Sequence, residues 1–522
     1  MAAETSVPVD TSAALVQGAT SLFDWVVIAP VAMPILGGAL LLMVRHRTRV
    51  HAAVALAVLL AALASCLVLL SRVVSEGALV MTMGRWLPPF GITFNADALG
   101  ASFAAAATFA TTAAAVFALR DIDATGRRYG FYPFLLLMLA GVNGAFLTGD
   151  IFNLYVWFEV FVISSFGLLI LGSERRQIDG AVKYAVLNLI ATTVFLIATG
   201  ILYGAFGTLN MADIARKADG LRDTGPLMTI ATLFLLAFGM KAAAFPLNFW
   251  LPASYHTPRI VTSAMFGGLL TKVGVYALLR TFTTLFPVER AVLSDVIAVV
   301  AVLTMILGVL GALAQSDIRR IIGFIVISGI GTMLAGLAVG SPLALSGTVL
   351  YAIHSILIMT ALYLVAGLMR EAGGSFSLHE LGGLYRSHPL LAAMMLALVL
   401  ATAGLPPLSG LWPKVVLVKA TIEDQAWWLT GAILVSSVLT TIVLGRVFAL
   451  SFWRMEQASA SKADTRPIDP VAGYGTVLLL LVPAVWIGLW PEPLLRIAGL
   501  AAAGLADPGS YIGAVFPAQG GS

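Results

Sequence analysis

Glu159, Lys241, Lys272, His354 and Lys414 are ionisable side chains set inside long apolar stretches of the chain. An ionisable group at the centre of a bilayer costs about 2.5–3.5 kcal/mol on insertion scales, so five of them call for a use. Their types suggest one. A proton cannot cross hydrocarbon unaided and needs titratable groups within water-chain reach of one another. A buried lysine responds to desolvation and to a neighbouring carboxylate, so its charge state is switchable, whereas an arginine never deprotonates. A change at Glu159 would therefore alter how tightly Lys241 holds its proton, and Lys272 is the next candidate to receive it.

Spacing places these groups at a common depth. A helix rises about 1.5 Å per residue. Lys272 follows Arg259 by thirteen residues, which is about 20 Å into an apolar layer. Lys241 lies a similar distance beyond Pro226, and Glu159, nine residues past Asp150, lies about 14 Å deep. His354 is thirteen residues past Ser341 and Lys414 nine before Glu423, so both also fall near mid-depth. The same reading has a plainer side. His354 alone could be a satisfied core histidine, and Glu159 with Lys241 a static ion pair. Lys419, four residues from Glu423, is placed to snorkel to the interface, and Lys183 and Arg446 sit near helix ends as anchors. Lys183 and Lys419 are thus weaker pathway candidates.

The elements that must hold this layer follow from composition. Of 522 residues, 60% are hydrophobic and 11% charged, with a mean hydropathy of +0.97; a soluble domain carries about 25% charged residues. An all-α polytopic membrane protein is expected. Runs of roughly 20 apolar residues recur about fourteen times, at 25–44, 52–70, 99–119, 132–147, 151–171, 181–205, 227–245, 260–279, 291–313, 318–339, 345–368, 390–418, 428–450 and 474–489. Alternating loops divide the basic residues unequally. About 18 fall on one side, among them Arg45, Arg127, Arg175, Arg319, Arg386, Lys462 and Arg466. About 8 fall on the other: Arg72, Arg85, Arg216, Lys217, Arg222, Arg280, Arg290 and Arg496. This bias puts the richer side in the cytoplasm and both termini outside.

Two spans carry prolines beside a central lysine: Lys241 precedes Pro246, and Pro406 and Pro407 precede Lys414. Proline in a helix interior removes a hydrogen bond and clashes with the preceding turn, so helices 7 and 12 are expected to be broken. They lie five spans apart and so run in opposite directions, the arrangement of an inverted five-helix repeat. The predicted organisation is residues 1–130 as helices 1–3 with a short outer loop and 131–282 as the first repeat, helices 4–8. Residues 291–452 form the second repeat, and 453–522 hold a cytoplasmic loop with the polar stretch Glu456–Asp469, helix 14 and an outer tail. From Trp490 onward that tail is expected along the outer interface or against a partner.

Several classes are excluded. The lone Cys66 permits no intrachain disulfide and no cysteine metal cluster. No Walker lysine motif, nucleophile elbow or His-Glu-x-x-His occurs, so no metal, no cofactor and no covalent enzymology are expected. The net charge of +4 reflects topology rather than nucleic-acid binding. Met1–Asp24 has no basic region and does not read as a cleaved signal peptide.

A family resemblance rests on particular residues. Phe238-Gly-Met-Lys241-Ala-Ala-Ala-Phe-Pro246, Trp250-Leu-Pro252, His256-Thr-Pro258, Ser263-Ala264, Lys272-Val-Gly274-Val-Tyr276 and Arg280 resemble the core signature of the antiporter-like subunits. These are shared by respiratory complex I, membrane-bound hydrogenases and the multisubunit Mrp cation/proton antiporters. Gln315-Ser-Asp317-Ile-Arg319-Arg320 and Ser328-Gly-Ile-Gly331 resemble its next block. Gly404-Leu-Pro-Pro-Leu-Ser-Gly-Leu-Trp-Pro-Lys414 is similar to the helix-12 motif of the Mrp D-type subunits. The resemblance implies that Glu159 pairs with Lys241, Lys272 bridges, His354 follows and Lys414 stands at the exit. His256 is a weaker candidate, since Tyr255 precedes it where the family has alanine. It further implies a proton-translocating subunit of a Na+/H+ antiporter in the cell membrane, with H+ and Na+ as the ions, lipid around it, and other Mrp subunits, the C subunit among them, as partners. A proton pump of complex I or a hydrogenase, which would be a translocase, and a scaffold subunit are the alternatives.

Overall fold

The computed structural model describes residues 15–16, 21, 23–222, 225–455 and 467–517. Most of Met1–Asp24 and of Glu456–Asp469, with Lys462 and Arg466, lies outside the described residues. Each predicted apolar run holds an apolar helix, ten of them long enough to cross a membrane and four shorter, among the described residues. In chain order the first seven are α1 (Ala29–Met43), α2 (Thr48–Glu76), α3 (Ala98–Asp121), α4 (Phe131–Leu147), α5 (Ile151–Leu169), α6 (Arg175–Phe206) and α7 (Leu227–Ala242). The next seven are α8 (Ile260–Leu285), α9 (Ser294–Leu313), α10 (Ile318–Val339), α11 (Pro342–Gly373), α12 (Pro389–Ala403), α13 (Trp427–Trp453) and α14 (Pro470–Leu489). Two further helices follow, α15 (Glu492–Ala506) and α16 (Gly509–Val515). A small antiparallel hairpin, β1 (Leu79–Thr82) with β2 (Thr93–Ala96), joins α2 to α3.

Local chemistry sets many of the ends. Asp97, Asp150 and Asp317 accept backbone N–H bonds at the starts of α3, α5 and α10, with N···O distances of 2.9, 2.7 and 2.8 Å. Each satisfies a donor that the first turn leaves free. Helices α8 and α11 are buried along their whole apolar windows, and α3 and α10 nearly so. The other long helices have no more than half of their apolar windows buried. Lys272 and His354 therefore ride on the two innermost helices.

Two parts of the chain repeat one another bond for bond. Ile151 N–H donates to Leu209 O (2.9 Å) and Met211 N–H to Gly149 O (2.9 Å). The same two bonds recur 167 positions on, from Ile318 to Phe376 O (3.1 Å) and from Leu378 to Ser316 O (2.9 Å). Helices α6 and α11, each of 32 residues, keep this offset at both ends. Gly207 and Gly374 follow them in the left-handed conformation. The sequences of the two halves differ almost everywhere, so the register is carried by backbone bonding rather than by side-chain identity.

The run 390–418 is interrupted at its prolines, as expected of helix 12, into α12 and Leu411–Glu423 with irregular backbone between them. Two sequence expectations need correction. Arg280, counted among loop residues, is only 2% exposed and lies within α8. The segment after Trp490 packs on its own chain: α15 lies against α11 and α3, burying Ala498, Ala501, Ala502 and Leu505.

Candidate functional site

Helix α7 ends at Ala242, where Ala243 turns left-handed with φ of 62°. The chain then runs through Pro246 before a short helix begins at Trp250. Helix α12 ends likewise at Ala403, with Gly404 at φ of 82°, Pro407 three residues later, and a new helix from Leu411. Position for position the hydrogen bonds agree. Ala244 N–H reaches Gly239 O and Leu405 N–H reaches Leu400 O, both at 2.9 Å. The lysines, however, stand on opposite sides of these breaks. Lys241 is in the last turn before the first, and Lys414 is in the first turn after the second.

Glu159 and Lys241 were expected to touch. Instead a third helix supplies a hydroxyl between them. Lys241 Nζ donates to Thr192 Oγ1 (2.8 Å), and Thr192 Oγ1–H donates to Glu159 Oε1 (2.9 Å). Lys241 is 4% exposed and its ammonium lies 5.3 Å from the centre of the Phe158 ring, a favourable cation–π placement. A hydroxyl can accept and donate at once. Lysine and carboxylate are thus joined by one exchangeable proton carrier instead of a direct ion pair.

Lys272 is fully buried. Just before it, α8 widens into a π-turn over Phe266–Leu270, and Lys272 Nζ donates to Gly267 O at 2.6 Å. Such turns detach a carbonyl from the helical ladder and make it available to a side chain. Helices α7 and α8 meet backbone to backbone here, because a Cβ on Gly274 would stand 2.6 Å from Ala242 N. The two lysine-bearing segments are thereby brought as close as their main chains allow.

His354, buried on α11, shares a 2.8 Å hydrogen bond through Nδ1 with Ser409 Oγ, a residue of the α12 break. Lys414 Nζ donates to Ala403 O (2.7 Å) and Thr402 O (3.2 Å), the last carbonyls of α12. Those carbonyls carry the negative end of the helix dipole. Gly404 leaves the space, since a Cβ there would lie 2.5 Å from Lys414 Cδ. Both breaks are fastened by other helices. Phe245 N–H donates to Thr304 Oγ1 of α9 (3.0 Å). Ser409 N–H donates to Ala484 O of α14 (3.0 Å), and Trp412 Nε1 to Gly488 O (2.9 Å).

The remaining candidates lie apart from this layer. Lys183 and Lys419 are exposed and paired one turn away, with Asp179 at 2.6 Å and Glu423 at 3.7 Å. His256 lies at the basic face, its Nε2 accepting from Arg320 (3.2 Å) and its Nδ1 set against Pro252 O (2.9 Å). Burial, and then the Arg320 and Arg319 guanidiniums, push its imidazole down to about 4, so it is neutral near pH 7. It lines a cavity of about 490 Å³ with Asp179, Lys183 and Glu174. A neighbouring cavity of about 430 Å³ is lined by Asp121, Arg259, Arg319, Arg370 and Glu371. Glu174, Thr257, Asp317 and Arg319 border both. Thr192 and Ser409 are the residues that sequence reasoning missed. Among the described residues no group of three or more metal-ligating side chains comes together.

A polytopic helical bundle whose buried ionisable side chains are gathered at two interrupted helices is the architecture of a membrane transporter. A sequence profile described as NADH:quinone oxidoreductase/Mrp antiporter, transmembrane, matches residues 148–440. The chain belongs to that family. The D subunit of the Na+/H+ antiporter of Alkalihalophilus pseudofirmus is 38% identical over 495 residues, covering 94% of this chain and 99% of that protein. A chain of the Mrp complex from a Dietzia species superposes with a TM-score of 0.87 at 29% identity, covering 95% of this chain and all of its own length. A chain of respiratory complex I from Thermus thermophilus, at 24% identity and a TM-score of 0.78, shares the fold over 92% of this chain and all of its own length.

Proposed function

We propose that this chain is the proton-translocating, D-type subunit of a multisubunit Na+/H+ antiporter, relaying protons along Glu159, Lys241, Lys272, His354 and Lys414. The observation that carries this reading is the Lys241–Thr192–Glu159 chain, with links of 2.8 and 2.9 Å. Its elements have directional roles. The hydroxyl of Thr192 passes charge between helices α5 and α7, Lys272 receives it on α8, and His354 with Ser409 hands it to Lys414 at the second break. The cavities beside His256 and Asp121 serve as the inlet from the basic face.

In this reading all fourteen apolar helices span the cell membrane, the basic face is cytoplasmic and both termini lie outside. The bond-for-bond register at an offset of 167 residues (151 to 318) supports two inverted five-helix repeats, 131–282 and 291–452. Residues 1–130 and 453–522 flank them. Other Mrp subunits, the C subunit among them, are the partners.

The test is Na+-dependent dissipation of ΔpH in everted vesicles carrying the assembled complex. Lys241→Ala or Glu159→Ala abolishes it; unchanged exchange in an assembled variant refutes the relay. Retained exchange in Lys241→Ala/Lys414→Ala would assign the chain a scaffold role instead.

A further inference from the structure

Helix α8 carries a second set of polar groups on the face of Lys272. Lys272, Tyr276 and Arg280 are four residues apart, so they stack along one side of the helix and lead from the buried layer to the face opposite the basic one. On α8 itself, neither Tyr276 nor Arg280 is free to pass a proton onward. Tyr276 Oη–H donates to the backbone carbonyl of Phe146 (2.7 Å) and Arg280 donates to the phenol oxygen (3.2 Å). The one phenolic proton is thereby committed to an acceptor that cannot release it. Arg280 lies 2.7 Å from Asp97 in an ion pair, and a guanidinium keeps its charge at every physiological pH. Asp97 is held in turn by its cap on Gly100 N–H (2.9 Å).

The chain's own C-terminal segment closes the remaining space. Tyr511 of α16 is 3% exposed, with its hydroxyl unpartnered. Burial raises that phenol above its usual range, with the charges of Arg280 and Asp97, Tyr276 and Asp150 also acting on it. A Cβ on Gly149 would lie 3.1 Å from the hydroxyl, so the side chain closes the space beside the α4–α5 junction. The segment is pinned where the Arg216 guanidinium covers the Phe516 ring at 4.6 Å. Arg216 is fixed by Asp213 at 2.7 Å.

From this geometry we infer that Asp97, Arg280 and the Tyr511 ring form a proton barrier over Lys272. It seals the buried layer from the face opposite the basic one at α8, so that charge must travel sideways to His354 and Lys414. The Arg280 guanidinium, neutralised by Asp97, has no proton to release, the Tyr276 hydroxyl offers no outgoing bond, and the Tyr511 ring excludes water. The inference rests on the relay proposed above, but its measurement needs neither Na+ nor Lys241.

The intact complex in proteoliposomes, given an imposed ΔpH without Na+ and followed with a pH-sensitive dye, tests it. Tyr511→Ala and the paired change Asp97→Asn/Arg280→Gln, which leaves no lone buried charge, are expected to speed ΔpH decay at least tenfold. Adding Lys272→Met returns each to the parental rate. The barrier is overturned if both assembled variants stay as tight as the parent, or if the leak persists with Lys272→Met. Failure of the relay itself would show separately, as normal Na+-dependent exchange in Lys241→Ala.

Discussion

Thr192 and Thr193 are adjacent in α6 and chemically identical, yet only one belongs to the site. Thr193 Oγ1 donates to Leu189 O one turn back (2.9 Å), the usual recourse of a hydroxyl in an apolar helix. Thr192 points across to α7 and α5 instead, accepting from Lys241 and donating to Glu159. Valine at 192 keeps the shape and removes the carrier. Thr192→Val is therefore expected to lower Na+-dependent ΔpH dissipation at least tenfold in an assembled complex, while Thr192→Ser retains most of it. Equal activity in both would dismiss the hydroxyl. Depth arithmetic could find Glu159 and Lys241, because a charge in an apolar run stands out against its cost. It could not find Thr192, since a threonine there is cheap and nearly always satisfied locally. Ser409 escaped for a related reason: it belongs to a turn, and turns beside prolines are expected to be polar.

At the level of the helix, the two breaks share a backbone path but not a residue at its first position. Gly404 suits the left-handed conformation, whereas Ala243 adopts it with a side chain, at φ of 62°. An L-residue there costs about 1–2 kcal/mol. Gly404→Ala adds that cost and a Cβ 2.5 Å from Lys414 Cδ, so it is expected to lower the melting temperature of the purified complex and impair exchange. Ala243→Gly is expected to be neutral or to stabilise by up to about 1 kcal/mol. A fall in melting temperature for the glycine variant would contradict this account. Prolines made the existence of both breaks legible. The matching of 243 with 404 was not, because the lysines that drew attention lie on opposite sides of the path and suggest a different alignment.

Over the whole molecule, the apolar runs made the helices legible, whereas charge sorting misplaced one residue. Arg280 follows an apolar run, as a loop arginine would, and only the ion partner brought from α3 shows it to be interior. No local pattern in the sequence reveals a partner some 180 residues away. A similar long-range fastening holds the first break. Phe245 lies in the first of the two repeats proposed for this chain and its N–H is held by Thr304 of the second. Ser409 lies in the second and is held by α14, beyond both. Thr304→Val leaves that N–H without a partner, at a cost of about 1–3 kcal/mol, and is expected to lower both melting temperature and exchange with Lys241 untouched. Normal values for both would show the fastening to be idle. In mechanical terms the chain is a tandem of hinged sections, and the latch of each hinge is mounted on the section that follows. A displacement at either break would therefore be felt by the section after it and, coupling being reciprocal, a displacement of that section would bear back on the break.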